Sequence, residues 1–191
     1  SFPAKSVKEL ISYGKANPGK LNYASTGAGG SIHLSAEMFK SMTGIDMVHI
    51  AYKASPMAHI DIIGGQVQLM FDGMPTALPL IKVGKLRALG VTSAQRSQLL
   101  PELPTVAEAG LPGYTAVNWF GFATTAGVPR ERVDKLNAEI VRILNQPEAK
   151  ERLLALGAEP VGSQPDEFAR FIKSEAARWG RIVKALGLKA D

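Results

Sequence analysis

Short apolar runs alternate with amphipathic segments along the first half of this chain, and glycine or proline separates one from the next. The apolar runs have the length of buried strands, whereas the segments between them keep the 3.6-residue spacing of helices. Strands and helices that alternate through short connections predict a mainly parallel α/β sheet with right-handed crossovers. The predicted strands are 21–25, 47–50, 67–71 and 87–91, and the predicted helices are 6–16, 31–42, 56–63 and 75–83.

A glycine-rich segment follows the first predicted strand and opens the second predicted helix. Glycine lets the backbone approach a ligand closely, and a helix N-terminus adds unpaired N–H groups with a partial positive charge. The segment therefore predicts a cradle for a small carboxylate or a phosphate, and an ordinary strand-to-helix turn is the alternative. The candidate binding residues in this segment are Ser25, Thr26, Gly27, Gly29, Gly30 and Ser31.

Three further side chains are candidates for the same site. His33, in the first turn of the predicted helix, either contacts a bound anion or satisfies a neighbouring backbone group, and the positive helix end favours its neutral form. Tyr52 follows the second strand and either forms a wall of the site or lies in an exposed loop. Asp72 ends the third strand and either caps the next turn or orients water and a polar group of the ligand. Ligands of parallel sheets bind beyond the carboxyl ends of strands, which favours a binding role for Asp72 and the glycine segment.

The composition limits the kinds of partner that we expect. A formal net charge of +5 favours anionic partners, but the basic residues are scattered beside acidic neighbours and form no stripe with exposed aromatics. We therefore expect no nucleic-acid partner. The chain contains no cysteine, which excludes disulfides, thiolate catalysis and cysteine-ligated zinc. No apolar run reaches the length of a membrane-spanning helix.

The glycine segment does not match the nucleotide-binding motifs, because a dinucleotide fingerprint would need glycine at Ile32 and no P-loop lysine follows. No second histidine completes a metal motif with His33, His59 shows no coordinating pattern, and no nucleophile elbow is present. We therefore expect no catalytic residue, no metal and no cofactor. The alternative function is an α/β enzyme that uses His33 and Asp72 as acid and base on a small anionic substrate, and a purely structural module is a third.

After about Gly113 the sequence no longer predicts strands that alternate with helices. Residues 117–123 are predicted to form a strand, and prolines open three helices near positions 129, 147 and 165, the second of which ends at Gly157. The last helix carries an apolar stripe that is typical of packing against a hydrophobic partner, formed by Phe168, Phe171, Ile172, Trp179, Ile182, Val183 and Leu186.

The glycine segment also carries a resemblance to a known family. Residues 22–34, Asn-Tyr-Ala-Ser-Thr-Gly-Ala-Gly-Gly-Ser-Ile-His-Leu, followed by Glu37-Met-Phe39, resemble the signature of the Bug-type receptors. These are the periplasmic solute-binding proteins of tripartite tricarboxylate transporters. Further matching motifs cover nearly the whole chain in family order, at 49–53, 64–67, 70–72, 84–89, 91–93, 103–114 and 119–121.

The resemblance implies a two-lobed, Venus-flytrap, periplasmic-binding-protein-like fold that closes on a small carboxylate without catalysis and without a cofactor. It implies a periplasmic location, membrane transporter subunits as partners, and a ligand that is a di- or tricarboxylate, an amino acid or an aromatic acid. The segment from Ser25 to His33 matches a glycine-rich loop that holds the ligand carboxylate, and Asp72 matches a polar group that faces the cleft. Gly30 and Ala54 depart from the family pattern, in which a small hydroxyl residue and a glycine are common at these positions.

The family's export signal and its N-terminal first-lobe strand have no counterpart in this chain. We therefore expect residues 1–115 to form the second ligand-binding lobe and residues 116–191 to form the C-terminal part of the first lobe. On this interpretation the fold is incomplete and half of the binding site is missing. We expect the chain to bind carboxylates weakly or not at all, or to self-associate through exposed apolar surface.

Overall fold

The computed structural model describes residues 2–185 and residue 187, which form two compact units. The first unit consists mainly of the residues up to Asn118, and the second runs from Trp119 to Lys184. No helix among the described residues is both long and apolar enough to cross a membrane. The first unit contains helices α1 (Val7–Ala16), α2 (Ser31–Thr43), α3 (Ser55–Gly64) and α4 (Met74–Lys82), and strands β1 (Leu21–Ser25), β2 (Met47–Ala51) and β3 (Leu69–Met70).

The three strands form one parallel sheet in the order β2-β1-β3. Leu21 lies opposite Met47 in the β1–β2 pair, and Tyr23 lies opposite Leu69 in the β1–β3 pair. The central strand β1 is buried at every position except Asn22. Strands covered on both faces are continuous apolar runs in the sequence, and the predicted parallel α/β fold is confirmed.

The ends of the first four helices follow local signals in the sequence. Ser6 caps α1, because its Oγ accepts a hydrogen bond from the backbone N–H of Glu9 at 3.2 Å. Gly44 ends α2 with φ 69°, and Gly65 ends α3 with φ 81°, both in the left-handed region that favours glycine. The four predicted helices of this unit are therefore confirmed to within one residue at each end.

The predicted strand at residues 87–91 is wrong. Val91 forms only an isolated parallel bridge with Thr105. Its N–H donates to the carbonyl of Pro104, and its own carbonyl accepts from the N–H of Val106. The hydrogen bonds that a sheet strand would make are therefore used by a neighbouring loop segment.

Two other predicted strands are wrong in part or in whole. Within residues 67–71 only Leu69–Met70 pair with the sheet. Residues 117–123 form no strand, and Phe120 and Phe122 are 82% and 79% exposed. An apolar sequence favours a strand only where a neighbouring strand accepts its hydrogen bonds, and local sequence does not supply that neighbour.

The second unit is helical, and its three predicted helices are confirmed as α5 (Arg130–Leu144), α6 (Pro147–Ala155) and α7 (Pro165–Ala185). Gly157 follows α6 with φ 78°, as predicted. Trp119 packs edge-to-face on Phe168 and Phe171, with ring centroids 5.5 and 5.4 Å apart. The start of the apolar stripe on α7 therefore packs within this unit, and its last residue, Leu186, lies outside the described residues.

Candidate functional site

The glycine segment connects β1 to α2, and its backbone requires glycine at two positions. Gly27 has φ 129° and Gly29 has φ 76°, conformations that a residue with a Cβ atom rarely adopts. Gly30 has an extended backbone and is the N-cap of α2. The loop therefore turns sharply between the end of the central strand and the start of the helix.

The outer side of this loop is open to solvent. Thr26, Gly29, Gly30 and Ser31 are exposed. The first i→i−4 hydrogen bond of α2 runs from the N–H of Leu34 to the carbonyl of Gly30. The amide of Ser31 therefore has no acceptor within its own helix, which is the arrangement that binds anions at helix N-termini.

Ser25 shapes the loop from inside. Its side chain is fully buried, and its Oγ accepts from the N–H of Gly27 at 3.1 Å and donates to the carbonyl of the same residue at 3.1 Å. Nε2 of His49 lies 2.6 Å from the same oxygen. The Ser25 hydroxyl therefore links the glycine loop to the ring of His49.

His33 holds the same loop from the helix. Its side chain is buried, and its Nδ1 accepts a hydrogen bond from the backbone N–H of Gly29 at 3.1 Å. The ring packs on His49, with centroids 4.3 Å apart, and on Tyr23. An Nδ1 atom that accepts a hydrogen bond carries no proton, so in this arrangement a ring proton lies on Nε2.

A buried polar network supports these rings. Oη of Tyr23 donates to Oε1 of Glu37 at 2.6 Å, and Nζ of Lys40 lies 2.8 Å from the same oxygen. Burial, followed by the hydrogen bond to Glu37, raises the pKa of Tyr23 far above its ordinary value. Burial alone would raise the pKa of Glu37, but the donors Lys40 and Tyr23 outweigh it and lower that pKa. The carboxylate is therefore the stable form.

Asp72 stands between β3 and α4 and is held by three side chains. Its Oδ1 accepts from Oγ of Ser55 at 3.0 Å, and its Oδ2 accepts from Oγ1 of Thr76 at 2.9 Å. Nε2 of His59 lies 2.6 Å from Oδ2, and the side chains of His59 and Asp72 are each 7% exposed. The sequence did not place His59 in the site, because its partner is 13 residues away and belongs to another element.

Tyr52 contributes differently from what the sequence suggests. Its backbone N–H donates to the carbonyl of Ser25 at 2.9 Å, which extends the β1–β2 pairing. Its Oη donates to Oδ2 of Asp61 at 2.7 Å. Burial and this hydrogen bond raise the pKa of Tyr52 to about 12.

A small polar pocket of about 30 Å³ lies beside the start of α2. Of the predicted site residues, Ser31 and Asp72 line it. The others shape or flank the glycine loop. The pocket is also lined by residues that the sequence did not indicate: Ile32, Ser35, Phe71, Gly73, Thr92, Ala116 and Asn118.

Two of these missed residues had a signal in the sequence. Ser35 lies one helical turn beyond Ser31 and therefore on the same face of α2. Thr92 directly follows the strand that the sequence predicts at 87–91. A residue at the end of a predicted parallel strand is a candidate for ligand binding, although this strand does not form. Among the residues that the structure describes, no group of three His, Asp or Glu side chains could hold a metal ion.

The comparisons with known proteins agree with one another. A family model described as "Tripartite tricarboxylate transporter family receptor" matches residues 1–188. A UPF0065 protein of the tcbD-tcbE intergenic region of Pseudomonas sp. strain P51 is 37% identical over 188 residues, which are 98% of this chain and 56% of that protein. Protein BugT of Bordetella pertussis is 36% identical over 96% of this chain and 56% of its own length.

Solved structures extend the likeness to three dimensions. The R. palustris protein Rpa4515 with adipate superposes with a TM-score of 0.91 at 38% identity, over 100% of this chain and 64% of that one. MatC from Rhodopseudomonas palustris with bound malate gives a TM-score of 0.80 at 29% identity, over 96% of this chain and 63% of that one. A periplasmic binding protein, BugD, gives a TM-score of 0.82 at 31% identity, over 100% of this chain and 64% of that one. The chain thus spans 56% of the length of these two curated relatives and 63–64% of the length of these solved chains.

Proposed function

This chain belongs to the tripartite tricarboxylate transporter receptor family, and we propose on that basis that it binds a small carboxylate as a periplasmic transport receptor, without catalysis. One observation carries the proposal. Ser31 is the first residue of α2 and Gly73 is the N-cap of α4, and both line the pocket. Two helix N-termini therefore direct their partial positive charges at one small polar space, which favours an anion.

The polar side chains around this space suit a carboxylate. Ser31 and Thr92 carry hydroxyls that can donate to carboxylate oxygens, and the amide of Asn118 adds two N–H donors. Oδ2 of Asp72 is contacted by His59 and Thr76, whereas Oδ1 accepts only from Ser55 among the described residues. Asp72 can therefore accept one more hydrogen bond, from a hydroxyl or amino group of the ligand or from a bridging water.

The residues of the glycine segment have two different roles in this proposal. Thr26, Gly27, Gly29 and Gly30 present backbone to the ligand, while Ser25 and His33 keep the loop in shape from within. Tyr52 supports the end of β1 behind the loop. An acid–base role for His33 and Asp72 fits less well, because both side chains are already engaged by the protein and the family consists of receptors.

The relatives supply the ligand chemistry and the mode of action. Solved relatives hold adipate and malate, so we propose a small dicarboxylate as the first ligand to test. We also propose that residues 1–115 and 116–191 belong to different lobes of the receptor. Membrane transporter subunits would then recognise the form in which the lobes have closed on the ligand. Exposed apolar surface would favour self-association of this chain.

Titration calorimetry with adipate and malate tests this function. We expect binding of at least one of the two acids by the wild-type chain, and an affinity about tenfold lower in Ser31→Ala, because a charge-assisted hydrogen bond is lost. Ser41→Ala, at the exposed far end of the same helix, is the matched control and should bind like wild type. Heat from neither acid, or equal affinities in Ser31→Ala and wild type, would contradict the proposal.

A further inference from the structure

His59 contacts Asp72, and Asp72 lines the pocket. His59 belongs to α3, is 6% exposed, and does not line the pocket itself. Ser55, one helical turn earlier on the same helix, donates to the other oxygen of the same carboxylate at 3.0 Å. One face of α3 therefore presents two donors to Asp72, and Thr76 of α4 adds a third.

This arrangement matters because Asp72 is an anion in the wall of a site for anions. Two carboxylates a few ångströms apart repel each other, and the repulsion grows as water is removed. Nε2 of His59 lies 2.6 Å from Oδ2, whereas Oγ1 of Thr76 lies 2.9 Å both from Oδ2 and from the carbonyl of Gly73 and has one proton to donate. The hydrogen bonds that stabilise the charge on Oδ2 of Asp72 therefore come from α3 and α4.

We propose that His59 is a positioning residue for ligand binding, which engages Oδ2 of Asp72 so that the pocket admits a carboxylate beside Ser31. This inference rests on the proposed function. It assigns a role to a histidine that shows no functional motif in the sequence. It also explains why an acidic residue lines a pocket formed by two helix N-termini.

The test compares two substitutions by titration calorimetry with adipate and malate. His59→Leu keeps apolar volume but removes the donor, and His59→Gln keeps an N–H donor. We expect His59→Leu to lower the affinity about tenfold and His59→Gln to stay within about threefold of wild type. The double variant His59→Leu/Asp72→Asn removes the uncompensated charge, and we expect it to bind at least threefold more tightly than His59→Leu. Loss of packing alone would not produce this recovery.

The outcomes separate this inference from the proposed function. If the wild-type chain binds neither acid, the proposed function fails, and the inference fails with it. If wild type binds and His59→Leu binds equally well, or if the double variant shows no recovery, only the inference is overturned.

A second measurement covers the case in which His59→Leu does not fold. In ¹H–¹⁵N spectra of the wild-type chain, we expect a proton on Nε2 of His59 that is protected from exchange and loses protection in Asp72→Asn. A ring with no proton on Nε2 would overturn the inference.

Discussion

The backbone N–H of Gly29 donates a hydrogen bond to Nδ1 of His33 across 3.1 Å, and this bond ties the tip of the glycine loop to the helix that follows it. Gly29 is exposed, whereas the His33 side chain is buried. The buried histidine therefore holds the exposed loop from the side of the helix.

Replacing His33 should loosen the glycine loop. In His33→Leu the amide of Gly29 loses its acceptor, so we expect a loss of about 1–2 kcal/mol in the free energy of unfolding and faster hydrogen exchange at Gly29. His33→Asn keeps an acceptor close to the position of Nδ1 and should retain more of the exchange protection. Exchange rates at Gly29 that are the same in wild type and His33→Leu would contradict this role. Urea denaturation and NMR exchange are the two measurements.

Ser25 should matter for stability more than its size suggests. Ser25→Ala removes the oxygen that contacts the N–H and carbonyl of Gly27 and Nε2 of His49, all within buried or half-buried surroundings. We expect a loss of about 1–3 kcal/mol in the free energy of unfolding by urea denaturation. Ser41→Ala on the exposed surface of α2 should change it by less than about 0.5 kcal/mol. A Ser25→Ala variant as stable as this control would refute the internal role.

The lowered pKa of Glu37 predicts a pH-dependent contribution to stability. Its ordinary value is 4.5, and a carboxyl group with a lower pKa in the folded state stabilises the fold above the unfolded value. That contribution is lost as the pH falls through the lower folded pKa. We therefore expect Glu37→Gln to be about 1 kcal/mol less stable than wild type at pH 7, and the difference to shrink below about pH 4.5.

Urea denaturation of both proteins between pH 7 and pH 3 measures this difference. Glu151→Gln, on the exposed surface of α6, controls for the removal of one negative charge. A difference that stays constant or widens towards acid would show that the two donors do not depress this pKa.

The second unit contains a position where only glycine fits. A Cβ atom on Gly121 would overlap the ring of Phe168, which packs on Trp119. We expect Gly121→Ala to lower the free energy of unfolding of this unit by about 1–3 kcal/mol, as measured by thermal denaturation. Gly180→Ala, inside α7 with open space around its Cβ, should instead stabilise by about 0.5–1 kcal/mol.

A double-mutant cycle identifies the cause. Phe168→Leu removes the ring edge, so Gly121→Ala should cost less in the Phe168→Leu background than in wild type. Equal costs in the two backgrounds would place the strain of Gly121→Ala elsewhere.

The candidate site could be predicted only in part. Ser31 was predicted because it opens a helix after a glycine-rich segment, and Asp72 because it directly follows a predicted strand; both line the pocket. Ser25 and His33 flank the same loop, at the end of β1 and the start of α2, but no local pattern shows that their side chains turn inward. His59 could not be found at all, because a histidine on an apolar helix has the same local sequence whether or not a carboxylate from another element faces it.

By itself, the sequence determined the parallel α/β order, the helix ends and the glycine loop. Each of these depends on spacing, capping or backbone freedom within a few residues. Only the tertiary structure decided that Val91 alone of residues 87–91 pairs with the loop around Thr105, that residues 117–123 form no strand, and that His59 engages Asp72. These outcomes depend on which distant groups compete for each hydrogen bond, and that competition is settled only when the whole chain packs.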